Sequence, residues 1–189
     1  MISAALKFSS DSLNQFLRNR MGLDEDKVLL NNLIESNGSI PERNHNKVVI
    51  SLVNVDKETV RPYNIRNVQL KDGSYTDINP SEKYNLYVLI SSNFSDYNET
   101  LKFLDAILLF FQRNPCLDGR THSNIPEGVS KLEYEVEKIS HNEMHNLWTA
   151  MGAKYQPSML YKVRLITVQS AETIATRSAV TQQENNVIQ

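Results

Sequence analysis

One cysteine, one tryptophan and six each of glycine and proline are spread over 189 residues. Each scarcity excludes something. Cys116 stands alone, so no internal disulfide can form, and the usage fits a reducing compartment. A formal net charge of −2 supplies no field to attract a phosphate backbone, and nucleic acid is not an expected partner. Long hydrophobic runs are missing: the densest, Ala106 to Phe111, falls far short of the ~20 apolar residues that cross a bilayer, so direct membrane insertion is not expected. The opening MISAALKFSS carries no basic segment ahead of an apolar stretch, so no signal peptide is expected. Nowhere does the chain contain G-x-G-x-x-G, G-x-x-x-x-G-K or G-x-S-x-G, the glycine patterns that cradle phosphates or expose a nucleophilic serine.

What is present is enough for one core. A chain of this length buries about 70% of its unfolded surface, and 40% hydrophobic with 22% charged residues is an ordinary balance. Residues 2–20 read as a helix with Ile2, Leu6, Leu13, Phe16 and Leu17 on one face, closed by Gly22. Residues 27–34 are a short strand candidate. In 47–55, Val48, Ile50 and Leu52 face one side and Val49, Val53 and Val55 the other, which predicts a central strand covered on both faces. Residues 84–90 repeat that pattern and are its expected neighbour. Between them, Asp72-Gly73 marks a two-residue hairpin turn, because both residues tolerate positive φ.

The clearest helix spans 96–113, with an Asp96/Glu99 capping-box pattern and apolar residues Tyr97, Leu101, Phe103, Leu104, Ile107, Leu108, Phe110 and Phe111 over half its circumference. Leu109 falls in the opposite, polar arc and is a candidate for contact with a neighbouring subunit. Residues 114–130 read as a loop. In 131–139, Leu132, Tyr134 and Val136 alternate with Glu133, Glu135 and Glu137; beside a strand at 159–168, the glutamates would share a face with Lys162 and Arg164. That pairing fits within one subunit or across two. Residues 170–189 hold only scattered apolar side chains, Ile174, Val180, Val187 and Ile188, and are expected to be a flexible tail or an arm that docks on a partner.

The stretch from Ser140 to Val168 carries the most information. Ser140 with Glu143 predicts a capping box; Met144, Leu147, Trp148 and Met151 then share one helical face. Gly152 suits a left-handed cap, Pro157 forbids further helix, and from Met159 the period becomes two. The helix between two strands admits a parallel, right-handed crossover. Elements alternate irregularly, which gives an α+β class: a mixed, largely antiparallel sheet with packed helices.

Chemistry is sparsely represented. His141 and His145 have the four-residue spacing of a metal pair, yet Asn142 stands where a zinc protease needs glutamate and Glu143 lies about 200° round the helix from His141. Surface histidines are the simpler account, and neither metal nor cofactor is expected. Cys116 and His122 lack an orienting acid at readable spacing. Asp118-Gly119-Arg120 reads as a turn and Trp148 as a core anchor.

Leu147-Trp148, Tyr155, Pro157-Ser158 and Tyr161, in that order, resemble the helix–turn–strand signature of the cap, or tail-terminator, proteins of phage-tail-like contractile injection systems of the antifeeding-prophage kind. Roughly residues 1–170 take part in the resemblance. It implies a non-enzymatic cap domain over 1–169 with 170–189 as its arm, forming a closed ring, a hexamer, at the end of the inner tube opposite the baseplate. Tube and sheath proteins are the implied partners, and assembly is implied to occur in the bacterial cytoplasm. The hairpin near Asp72-Gly73 and the 170–189 arm are the candidate contacts, which the resemblance itself does not assign. Alternatives left open are another ring or adaptor component such as a baseplate subunit, a hydrolase or metalloenzyme using His141, His145 or Cys116, or a small-molecule binding module should an apolar pocket lie near Trp148.

Overall fold

The computed structural model describes residues 1–58, 67–69, 75–78, 83–167 and 173–177. The opening helix, α1 (Ile2–Met21), buries Leu6, Leu13 and Leu17 and ends at Gly22, whose φ of 64° is the left-handed cap that glycine adopts without strain. Inside its apolar face sits one polar residue. The Asn14 amide donates to the Val28 carbonyl (2.8 Å), while its oxygen accepts the Lys27 and Val28 amides (3.0 and 2.8 Å). It thereby pins β1 (Val28–Leu30) against the helix, and the strand is shorter than the sequence suggests.

β1 runs parallel to β2 (Lys47–Lys57), and β2 is antiparallel to β5 (Lys83–Asn93). Beyond β5 lie β8 (Ser158–Thr167), β7 (Val129–Val136) and the short β6 (Cys116–Asp118), all antiparallel to their neighbours, for a sheet ordered β1-β2-β5-β8-β7-β6. The mixed, largely antiparallel α+β fold is therefore as expected. Two corrections follow. Residues 114–130 are not all loop, since β6 lies within them. The helix between β7 and β8 is no parallel crossover: the two strands are antiparallel neighbours.

A bulge between Leu52 and Asn54 alters the reading of β2. Val55 now lies opposite Leu86 and shares its face, instead of continuing the face of Val49. Leu52 (40% exposed) and Val55 (37%) extend past the helical cover.

Helix α2 (Tyr97–Arg113) lies with α1 on one face of the sheet. Its Asp96 caps by accepting the Asn98 amide (2.8 Å), so the cap is one-sided and not the reciprocal box. Phe103, Ile107, Phe110 and Phe111 are buried, joined by Thr100 and Ala106, which the apolar pattern did not include. Phe16 and Phe110 bring α1 and α2 together at 5.3 Å between ring centres. This first core takes in Val48, Ile50, Leu86, Val88, Leu132, Tyr161, Val163 and Leu165. α3 (His141–Ala150) covers the opposite face and closes a second, smaller core of Leu33, Val49, Leu89, Trp148 and Leu160.

A separate three-stranded sheet is ordered β3-β4-β9 from β3 (Asn67–Gln69), β4 (Tyr75–Ile78) and β9 (Thr173–Arg177). The β3–β4 hairpin brackets Asp72 and Gly73, which lie outside the described residues, as do Val180, Val187 and Ile188. Ile174 lies on β9, so part of the 170–189 segment pairs with a strand of its own chain.

Candidate assembly interface

Every residue of the helix–turn–strand signature has a place in the framework. Ser140 and Glu143 form the reciprocal box: the Ser140 hydroxyl accepts the Glu143 amide (3.3 Å) and the Glu143 carboxylate accepts the Ser140 amide (2.7 Å). That backbone bond holds the Glu143 carboxyl below its ordinary range. Met144, Leu147, Trp148 and Met151 then face the second core, with Trp148 only 3% exposed. Gly152 adopts φ 67° as expected. Tyr155, two-thirds exposed, sets its ring edgewise against Trp148 at 5.6 Å. The Pro157 carbonyl accepts the Ser92 amide (3.0 Å) and starts β8, on which Ser158 begins the pairing with β5. Tyr161 belongs to the opposite core, 4.6 Å from Phe111; burial pushes its hydroxyl up to about 12. The turn thus fixes which side chains fall on which side of the sheet.

Residues with chemical potential are not brought together. His141 and His145 are both exposed on α3, and among the described residues no group of three or more His, Cys, Asp or Glu could hold a metal. Cys116 lies on β6, where burial, and secondarily Asp118, pushes its thiol up, away from the reactive thiolate. His122 is held instead by the Thr121 hydroxyl (2.8 Å) and packs edgewise on Phe8. Asp118 closes the turn that holds Gly119 and Arg120 by accepting the Arg120 and Thr121 amides, each at 3.0 Å.

Two surfaces remain. The first is the charged half of the sheet face that α3 leaves uncovered. Glu133 lies opposite Arg164, and Glu135 opposite Lys162, so the expected pairing forms within one chain. Arg164 reaches Glu133 at 3.2 Å and Glu58 at 3.5 Å, and Lys131 bonds Glu133 from the other side. The Lys131 bond, then that of Arg164, holds the Glu133 carboxyl below its ordinary range. A shallow cleft of about 290 Å³ opens among Glu133, Glu135, Lys162 and Arg164.

The second surface is apolar and lies on the helical side, at the end of α2. Leu108 and Phe111 from the helix, Pro115, and Tyr134, Val136 and Tyr161 from the sheet line a groove of about 380 Å³. Val136 is half exposed. Farther along α2, Tyr97 (65%) and Leu101 (39%) are exposed too, whereas Leu109 is partly covered. Sequence periodicity placed Val136 inward; the signal that it is not covered is Pro115, which ends β6 just short of it.

The profile of the family described as "Pvc16 N-terminal domain" matches residues 10–182. No curated protein matches the chain. Among solved structures, the sheath/tube terminator of an extracellular contractile injection system, PVC, in its extended state is similar with a TM-score of 0.60 and 18% identity, over 95% of this chain and 63% of that one. The tube-terminating cap of the anti-feeding prophage is similar with a TM-score of 0.61 and 14% identity, over 94% of this chain and 59% of that one. The chain thus spans less than two-thirds of the length of either.

Proposed function

The chain belongs to the Pvc16 N-terminal domain family, and from that premise we propose that it is the structural cap subunit that terminates the inner tube and sheath of a contractile injection system. The observation that carries this reading is the family match across nearly the whole folded chain, on a sheet-and-helix framework shared with two terminator structures. The physical logic is one of surfaces. A tube grows because each ring presents the surface its predecessor offered. A ring that matches the tube on one face and differs on the other ends the series, and head-to-tail contacts that close into a cycle supply such a ring without open-ended growth.

On this reading six copies form the ring at the end opposite the baseplate, with tube and sheath proteins as partners and no catalytic step. The 170–189 segment, with Ile174, Val180, Val187 and Ile188, serves as the arm, and the hairpin around Asp72 and Gly73, Leu109, and the face bearing Lys162 and Arg164 are the remaining candidate contacts. Among the described residues no helix is long and apolar enough to cross a membrane, which fits assembly in the bacterial cytoplasm before incorporation into the particle.

Deleting the gene and imaging the resulting particles tests the proposal. Tubes of uncontrolled length, or sheaths that detach, are the expected outcome. Complete particles of normal length would overturn it, and failure to start tubes at all would reassign the chain to the baseplate.

A further inference from the structure

The outer edge of the sheet at β7 ends in a particular way. Tyr134 donates its amide to the Pro115 carbonyl (2.8 Å), and the β6–β7 register, with Cys116 opposite Glu133, places Pro115 opposite Tyr134. In an antiparallel pair of this kind each residue both donates and accepts. Proline has no amide hydrogen, so it cannot complete the pair, and the Tyr134 carbonyl gains no donor from that strand. One step on, Glu137 donates inward to the Leu160 carbonyl (2.9 Å). Its neighbour Val136 therefore points both backbone groups the other way, past the end of β6, where no ladder partner lies among the described residues.

Three features coincide at this edge. Among the described residues, the Tyr134 carbonyl and both backbone groups of Val136 lack a ladder partner on the outer side. The apolar groove, with Leu108, Phe111 and Tyr161 as its walls, opens on the Val136 face. On the other face, the side chains of Glu135 and Glu137 flank Val136, with the basic residues Lys162 and Arg164 one strand farther in. Unprotected edges of this kind accept an added strand.

We infer that the β7 edge is a docking site for an extended segment of another protein in which apolar and basic residues alternate. The register dictates the alternation. A residue opposite Val136 points into the groove and must be apolar. Residues opposite Glu135 and Glu137 meet carboxylates, and at Glu135, whose β8 partner is Lys162, an incoming base completes a base–acid–base row across β8, β7 and the added strand. This inference does not depend on whether the chain ends a tube.

A dye-labelled seven-residue peptide alternating lysine with valine, titrated against the full chain and followed by fluorescence anisotropy, tests it. That peptide is expected to bind at least about tenfold more tightly than one alternating glutamate with valine, and about tenfold more tightly than the lysine peptide with its central valine N-methylated. Val136→Asp should weaken binding by a similar factor, and Glu137→Lys should remove the preference for the basic peptide. Because the N-methylated peptide probes the unaltered protein, the result stands even where a variant fails to fold. Equal affinity for the basic and acidic peptides, indifference to N-methylation, or no binding at millimolar peptide would overturn the inference. Sedimentation showing a dimer that Val136→Asp dissolves would overturn it too, by assigning the edge to a second copy of this chain.

Discussion

Tyr161 shows how one side chain links packing to pH. Its ring packs against α2, 2% exposed, and burial raises its hydroxyl to about 12. A group whose folded value is raised contributes stability that is complete below its unfolded value near 10 and is lost as pH rises toward the folded one. Urea midpoints should therefore fall between pH 9 and 11.5, and Tyr161→Phe should fall less over that interval while differing little at pH 7. Parallel curves for the two proteins would contradict this. Tyr134 shifts in the same direction and retains a hydrogen bond to Ser9, so the Phe variant should flatten the loss without abolishing it. Trp148 contributes through size. Among the described residues its buried indole nitrogen meets no acceptor, so the ring's apolar area holds the second core together.

Among the elements, those with a strong period were the legible ones. α1, α2, β2, β5 and β8 follow from apolar spacing, and α3 also from its punctuation: Ser140, Glu143, Gly152 and Pro157 each do what their chemistry dictates. The box at its start should be measurable. Ser140→Ala is expected to cost about 1 kcal/mol, and Ser140→Gly a few tenths, in urea unfolding followed by Trp148 fluorescence. Equal losses would mean that the hydroxyl does not cap. What sequence did not reveal has specific causes. β6 holds three residues between Pro115 and Gly119, too few for a period to register. The bulge at Val53 comes from the backbone and leaves no mark in a run whose apolar residues fall on both faces. Asn14 carried a signal that the apolar pattern passed over: a polar residue amid the buried face of a helix calls for a backbone partner, and β1 supplied it. The signature residues were visible before the fold was, whereas the open β7 edge required knowing which strand Pro115 belongs to.

At the scale of the molecule, one sheet serves two cores. Val48 and Ile50 point to the first and Val49 to the second; Leu89 and Leu160 belong to the second while their chain neighbours Val88 and Tyr161 belong to the first. Loss of either core removes the support of the other, so unfolding should be a single transition. The only tryptophan reports on the second core, which makes the test direct. Leu132→Ala, a cavity in the first core expected to cost about 2–5 kcal/mol, should move the Trp148 fluorescence midpoint as far as it moves the far-ultraviolet circular dichroism midpoint. Separated midpoints would show two independently melting halves.

The Asn14 clamp has a consequence for how copies of this domain can sit side by side. Lys27 accepts from Val48 on the inner side of β1, so Val28 turns its amide and carbonyl outward, and Asn14 occupies both. That rim of the sheet is sealed from within by a helix of its own chain, while among the described residues nothing seals the far rim beyond Pro115. Lateral growth through backbone pairing can therefore proceed from one flank and not the other, giving the domain a left and a right. Such handedness forbids head-to-tail stacking of one sheet rim on the other and leaves two ways to join through backbone pairing: the receptive flanks of two copies, or a distinct element handed to one of them.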